Sequence, residues 1–104
     1  MGYIKLKNYN EHLELREPVE ESMNGMGYWY LRLVLNANLT AEEINNIFIP
    51  ENLIEITVVD DLEQETVLFN YIIVVSIRKT YDPEDNTKNW LNITLQKVIN
   101  GVDN

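Results

Sequence analysis

The sequence predicts an α+β fold, mainly antiparallel β-sheet of about six strands with one short helix packed on it. Three observations lead there. Most apolar residues recur with period 2, the spacing of strands with one face buried. One segment alone carries a complete helix start signal. The connections between apolar runs are short and polar, which suits antiparallel neighbours.

Along the chain, Ile4 and Leu6 alternate with Lys5 and Lys7 as on a strand. Asn8 to Glu11 supplies turn chemistry, and Leu13 and Leu15 alternate with His12, Glu14 and Arg16. Together these predict an N-terminal hairpin, whose second strand Pro18 limits. Gly25 and Gly27 mark a flexible connection. From Tyr28 to Asn36, Trp29, Leu31, Leu33 and Leu35 share one face and Tyr28, Tyr30, Arg32 and Val34 the other.

Thr40 is a good N-cap, and Glu43 three residues later completes a capping box. Leu39 and Ile44 fit a hydrophobic staple, and Ile44, Ile47 and Phe48 form an apolar stripe. Pro50 disfavours helical geometry at Ile49, so the helix is expected to stop after about two turns. Leu53 to Val59 reads as the next strand and Asp60 to Glu65 as an acidic turn. Thr66 to Thr80 is the longest strand expected, ended by the Asp82-Pro83-Glu84-Asp85-Asn86 turn. Trp90 to Lys97 alternates Leu91, Ile93 and Leu95 with polar residues. The last three strands are expected to form a meander, the whole of 1–104 a single domain, and 100–104 a frayed tail.

Composition narrows the function. The chain of 104 residues carries 17 acidic and 8 basic side chains, a net charge of −9. Direct binding to nucleic acid is disfavoured, because that affinity comes from Lys and Arg neutralising phosphates. Acidity favours a basic protein partner instead. There is no cysteine, no apolar h-region in 1–7 and no apolar run long enough to span a bilayer, so neither a secretory signal nor membrane insertion is expected.

Catalytic chemistry is sparse. His12 is the single histidine, on the polar side of the expected hairpin, with no partner to orient its imidazole. Ser22 and Ser76 are the only serines, and neither lies in a nucleophile elbow. The carboxylates of residues 60–65 and 82–86 could offer oxygen ligands to calcium. The second run lacks the glycine and the bidentate Glu of an EF-hand, with Thr87 and Ile93 at those positions. Solvated turns explain both runs better. No catalytic residue, cofactor or metal is expected, and the chain is read as a non-enzyme.

One segment departs from the alternating pattern. Val67, Phe69, Tyr71, Ile73, Val75 and Ile77 fall on one face of the long strand, and Leu68, Ile72 and Val74 on the other. A strand apolar on both faces needs cover on both. Either it is long, bent and buried between two packed sheets, or another chain covers one face. In the second case Leu68, Ile72 and Val74 face the partner while Phe69 and Ile73 face the core. Tyr28, Tyr30 and Arg32 would extend that interface, being residue types enriched where proteins meet.

The order of elements from Leu35 to Gln96 carries a resemblance: an apolar strand, Leu-Thr-Ala-Glu-Glu-Ile, Asn-Leu-Ile-Glu-Ile-Thr-Val, an acidic turn, Phe-Asn-Tyr, Tyr-Asp-Pro, then Trp-Leu-Asn-Ile-Thr-Leu-Gln. It resembles small proteins encoded among the tail and structural genes of phages and prophages of Gram-positive bacteria. The resemblance implies a virion or tail-assembly role, in the virion or host cytoplasm, and carries over no functional residue. The expected function is thus structural or assembly work through protein–protein contacts, with a second copy or other virion proteins as partners. The alternative is a small acidic inhibitor occupying a basic surface of a host protein.

Overall fold

The computed structural model describes residues 2–85 and 87–99. The tail expected over 100–104 lies outside these residues. The elements run β1 (Tyr3–Leu6), β2 (Tyr9–Glu14), β3 (Glu20–Met23), β4 (Trp29–Leu35), α1 (Ala41–Ile47), α2 (Pro50–Leu53), β5 (Glu55–Val59), β6 (Glu65–Phe69), β7 (Ile73–Tyr81) and β8 (Asn89–Gln96). The fold is mostly antiparallel sheet with short helices, but its strands are eight in two sheets rather than about six in one. The first sheet is ordered β2-β1-β5-β6 and the second β3-β4-β8-β7.

Both sheets turn their apolar faces to one core. Ile4, Leu6, Leu13, Ile56 and Leu68 come from the first; Leu31, Leu33, Leu35, Leu91, Ile93 and Leu95 come from the second. Burying each such side chain contributes about 1.5–3 kcal/mol, which sets the register firmly wherever alternation is clean. Thus β4 and β8 pair from Tyr30↔Gln96 to Leu35↔Leu91 with every leucine and isoleucine inward.

Two chain segments turn corners between the sheets, the device that joins sheets in orthogonal sandwiches. After β2, the Leu15–Leu35 bridge and the Arg16 N–H bond to the Val34 carbonyl carry the chain onto β4, beside which β3 then runs. The second corner is Asn70, with φ +66°. Its N–H donates to the Ile54 carbonyl next to β5, and its own carbonyl accepts from Val98 just past β8. Asn tolerates this left-handed geometry better than any β-branched residue.

The expected meander is therefore divided. β5 pairs with β6 in one sheet and β7 with β8 in the other. β3 is an additional strand, reached because Gly27, with φ +87°, closes the tight connection to β4. The strand expected from Leu53 begins at Glu55, since 50–53 form a second helical turn.

The capping box is present as expected: Thr40 Oγ1 accepts from the Glu43 N–H at 3.1 Å, and Glu43 Oε1 accepts from the Thr40 N–H at 2.9 Å. Pro50 does not simply end the helical region; it starts α2 as its first residue, where a missing N–H costs nothing. Ile47, Phe48 and Leu53 enter the core from the two helices, and Asn52 ties α1 to β1, donating to the Ile47 carbonyl while its own carbonyl accepts from Lys7.

Candidate interaction edge

The bent segment from β6 to β7 is the outer strand of both sheets: β6 ends the first and β7 ends the second. Among the described residues, each therefore has one neighbouring strand and one open side. This edge exposes many apolar side chains. Val67, Phe69, Ile73, Val74, Val75 and Tyr81 are all exposed, Phe69 by 52% and Val75 by 50%. β7 is nine residues long, and its pairing with β8 is interrupted between Val74 and Ser76, which leaves Val75 as the extra residue of a bulge.

The six candidate interface residues separate. Leu68 lies in the core cluster, so it is not an outward residue; Phe69, expected inward, is exposed instead. Leu68 and Val74 both lie on the core side, paired with Ile56 and Leu95, so the alternation carries across the corner at Asn70 and the two faces are exchanged as a whole; a strand apolar on both faces does not say which one turns inward. Ile72 is half-buried and packed against the core. Val74 pairs with Leu95 on the core side of the second sheet, yet it is 37% exposed, because among the described residues no strand flanks β7 on the side away from β8. Ile73 is exposed too, on the side opposite Val74.

Tyr28 is exposed and joins this edge. With Ile73, Gln96, Lys97, Val98 and Ile99 it lines a shallow cleft of about 240 Å³ where β4 begins and β8 ends. Tyr30 and Arg32 stand on the outer face of the second sheet but further in. Tyr30 is half-buried, with the Asn24 side-chain amide donating to its hydroxyl at 3.4 Å. Arg32 donates to Glu20 at 3.0 Å and to Glu17 at 3.2 Å, and these carboxylates hold its guanidinium above its ordinary pKa. Arg32 thus ties β4 to β3 and the preceding loop rather than standing free.

Other polar groups serve the fold. His12 is exposed and stacks flat on Tyr3 at 4.2 Å. Asp60 Oδ1 accepts from the Leu62 and Gln64 N–H groups. Asp85 Oδ1 accepts from the Thr87 hydroxyl and N–H, which lower its pKa. The carboxylates of both acidic turns thus shape backbone. Among the described residues no three His, Asp or Glu side chains come together to hold a metal ion, and no helix is long and apolar enough to cross a membrane.

Tyr71 is the buried polar contact that sequence reasoning read only as apolar. Its ring is 0% exposed, and its hydroxyl donates to Glu21 Oε2 at 2.6 Å, linking the β6–β7 corner to β3. Burial first, and the carboxylate second, push its pKa above the ordinary range. A second cleft, of about 400 Å³, opens between the β2–β3 corner and the end of β5, lined by Leu15, Pro18, Val19, Val58, Val59 and Leu62 with Gly2, Asp60 and Asp61.

No family model matches the chain, and neither a curated protein nor a solved structure is significantly similar to it.

Proposed function

We propose that this protein is a non-enzymatic structural or assembly component that works by protein–protein contact, a phage virion or tail-associated protein as its element order suggests. The observation that supports this most is the exposed apolar edge of β7. A long edge strand with open backbone groups is a template for another chain, and folded proteins ordinarily blunt such edges. Recognition by strand addition draws its affinity from backbone hydrogen bonds and its specificity from alternate side chains. The partner is protein: a second copy or another virion component.

The test is recovery of the chain in gradient-purified particles from cells that encode it. A Val75→Lys protein should keep the wild-type circular dichroism spectrum and be lost from particles. Absence of the wild-type chain from particles, or wild-type incorporation of Val75→Lys, would overturn the reading. The net charge of −9 favours one other reading, an acidic inhibitor that occupies a basic surface of a host protein. Its binding would weaken steeply with salt, whereas incorporation through an apolar edge would not.

A further inference from the structure

The second sheet has two open edges, and they differ in charge. β3 reads Glu20-Glu21-Ser22-Met23, every residue exposed. β7 carries Arg78 and Lys79, both exposed and, among the described residues, in no ion pair. In a chain with only 8 basic residues, two adjacent ones on an edge strand opposite an acidic edge are a pairing signal.

We propose that β7 of one copy pairs antiparallel with β3 of the next, continuing the second sheet head to tail through successive copies. This rests on the assembly reading above and names the partner of the β7 edge.

Strand direction permits it. Each neighbour in β3-β4-β8-β7 is antiparallel, so β3 and β7 run oppositely. A second copy in the same orientation therefore meets β7 with an antiparallel β3 and keeps its core face on the same side. Register then follows from the faces. Ile77 and Lys79 lie opposite Ile93 and Leu91, on the core side. Glu21 and Met23 lie opposite Leu31 and Trp29, also on the core side. Placing Lys79 against Glu21 of the next copy sets Ile77 against its Met23, which is 56% exposed in the single chain. On the outer face Arg78 meets Ser22, diagonal to Glu20. One register thus joins an apolar pair and an opposite-charge pair, the units that stabilise a sheet.

The alternative, β7 against β7 about a two-fold axis, sets Arg78 and Lys79 of the two copies on one like-charged edge, leaves the β3 edge without a strand and stops at a dimer. The head-to-tail contact is heterologous, so it continues until sheet twist closes a ring or winds a filament. The ladder is only as long as β3, four residues, so assembly depends on concentration.

The experiment is sedimentation velocity of the full chain over a concentration series. Wild type should form species larger than a dimer. Lys79→Glu and Glu21→Lys should each weaken association about tenfold or more, because like charges then face each other. An equimolar mixture should recover it, because every junction again pairs opposite charges. Glu21 also accepts the Tyr71 hydroxyl, so circular dichroism must show that Glu21→Lys folds. If it does not, Met23→Asp, which sets a carboxylate against Ile77, replaces it and should also weaken association. Three results would overturn the proposal: a monomer at every concentration, a folded β3 variant that associates as wild type, or a mixture that does not recover. A monomer whose Val75→Lys variant is still lost from particles would overturn head-to-tail pairing alone and leave the assembly reading standing.

Discussion

β7 and β8 are neighbours, pair along nearly their whole length and are both rich in apolar residues, yet they meet opposite fates. β8 lies between β4 and β7, and Leu91, Ile93 and Leu95 are each 0% exposed. β7 has one neighbour, and of its nine residues only Ile77 and Thr80 are even half-buried. Apolar content does not distinguish the two; the number of flanking strands does. Apolar residues in β8 are buried in the core, whereas Ile73, Val74, Val75 and Tyr81 of β7 remain exposed after folding. Two devices keep the β7 edge from indiscriminate pairing: the bulge at Val75 and the charges of Arg78 and Lys79.

Truncations sharpen the contrast most. Ile93→Ala should cost about 2–5 kcal/mol, since it opens a cavity in the core. Val75→Ala, one strand away, should stay within about 0.5 kcal/mol. Urea denaturation reads both, and similar costs at the two sites would mean that β7 is core after all.

The corner that sends β6 and β7 into different sheets is the next place to press. Asn70→Val forces a β-branched residue to φ +66° and should cost about 1–3 kcal/mol, with Asn70→Gly close to wild type. Equal stability of the Val and Gly variants would remove the corner as the cause of the division.

Tyr71 gives a smaller effect than the corner, with a pH signature. Its folded pKa lies above the ordinary 10.0, so between those values the native state holds a proton that the unfolded chain has lost. Its contribution is therefore complete below about pH 10 and falls as pH rises toward the folded value. Tyr71→Phe should cost about 0.5–1.5 kcal/mol at neutral pH and make the alkaline decline in stability shallower. Chemical denaturation at pH 8 to 11 checks this, and an unchanged slope would show that Tyr71 titrates normally.

The fold was most legible where one residue pattern met one environment. β8 and the inward leucines of β4 alternate without a break, and both faces came out as read. The Thr40–Glu43 box formed because its chemistry is local. β3 was not legible: Glu20 to Met23 has no apolar alternation, and it is a strand only because β4 lies beside it. The two faces of 67–74 are exchanged relative to the expectation for a related reason. Leu68, Ile72 and Val74 do share a side, but it is the core side: with apolar residues on both faces the alternation does not say which face turns inward, and the bulge at Val75 shifts the phase only beyond Val74. Leu68 consequently went to the core, and Val74 and Tyr28 stayed at the surface. The apolar excess of 67–77 was a sound signal that the segment was unusual; which side chains stood free depended on which face met the core and on the position of β6 and β7 at the sheet edges.

The central claim is that β7 is an open edge that another chain completes. Residue-resolved amide hydrogen exchange at low and high protein concentration tests it directly. At low concentration the β7 amides that face away from β8 should exchange orders of magnitude faster than those of β8, and concentrating the protein should protect them. β7 amides protected as strongly as β8 in the dilute monomer, or unprotected at every concentration and in every assembly that contains the chain, would contradict the account.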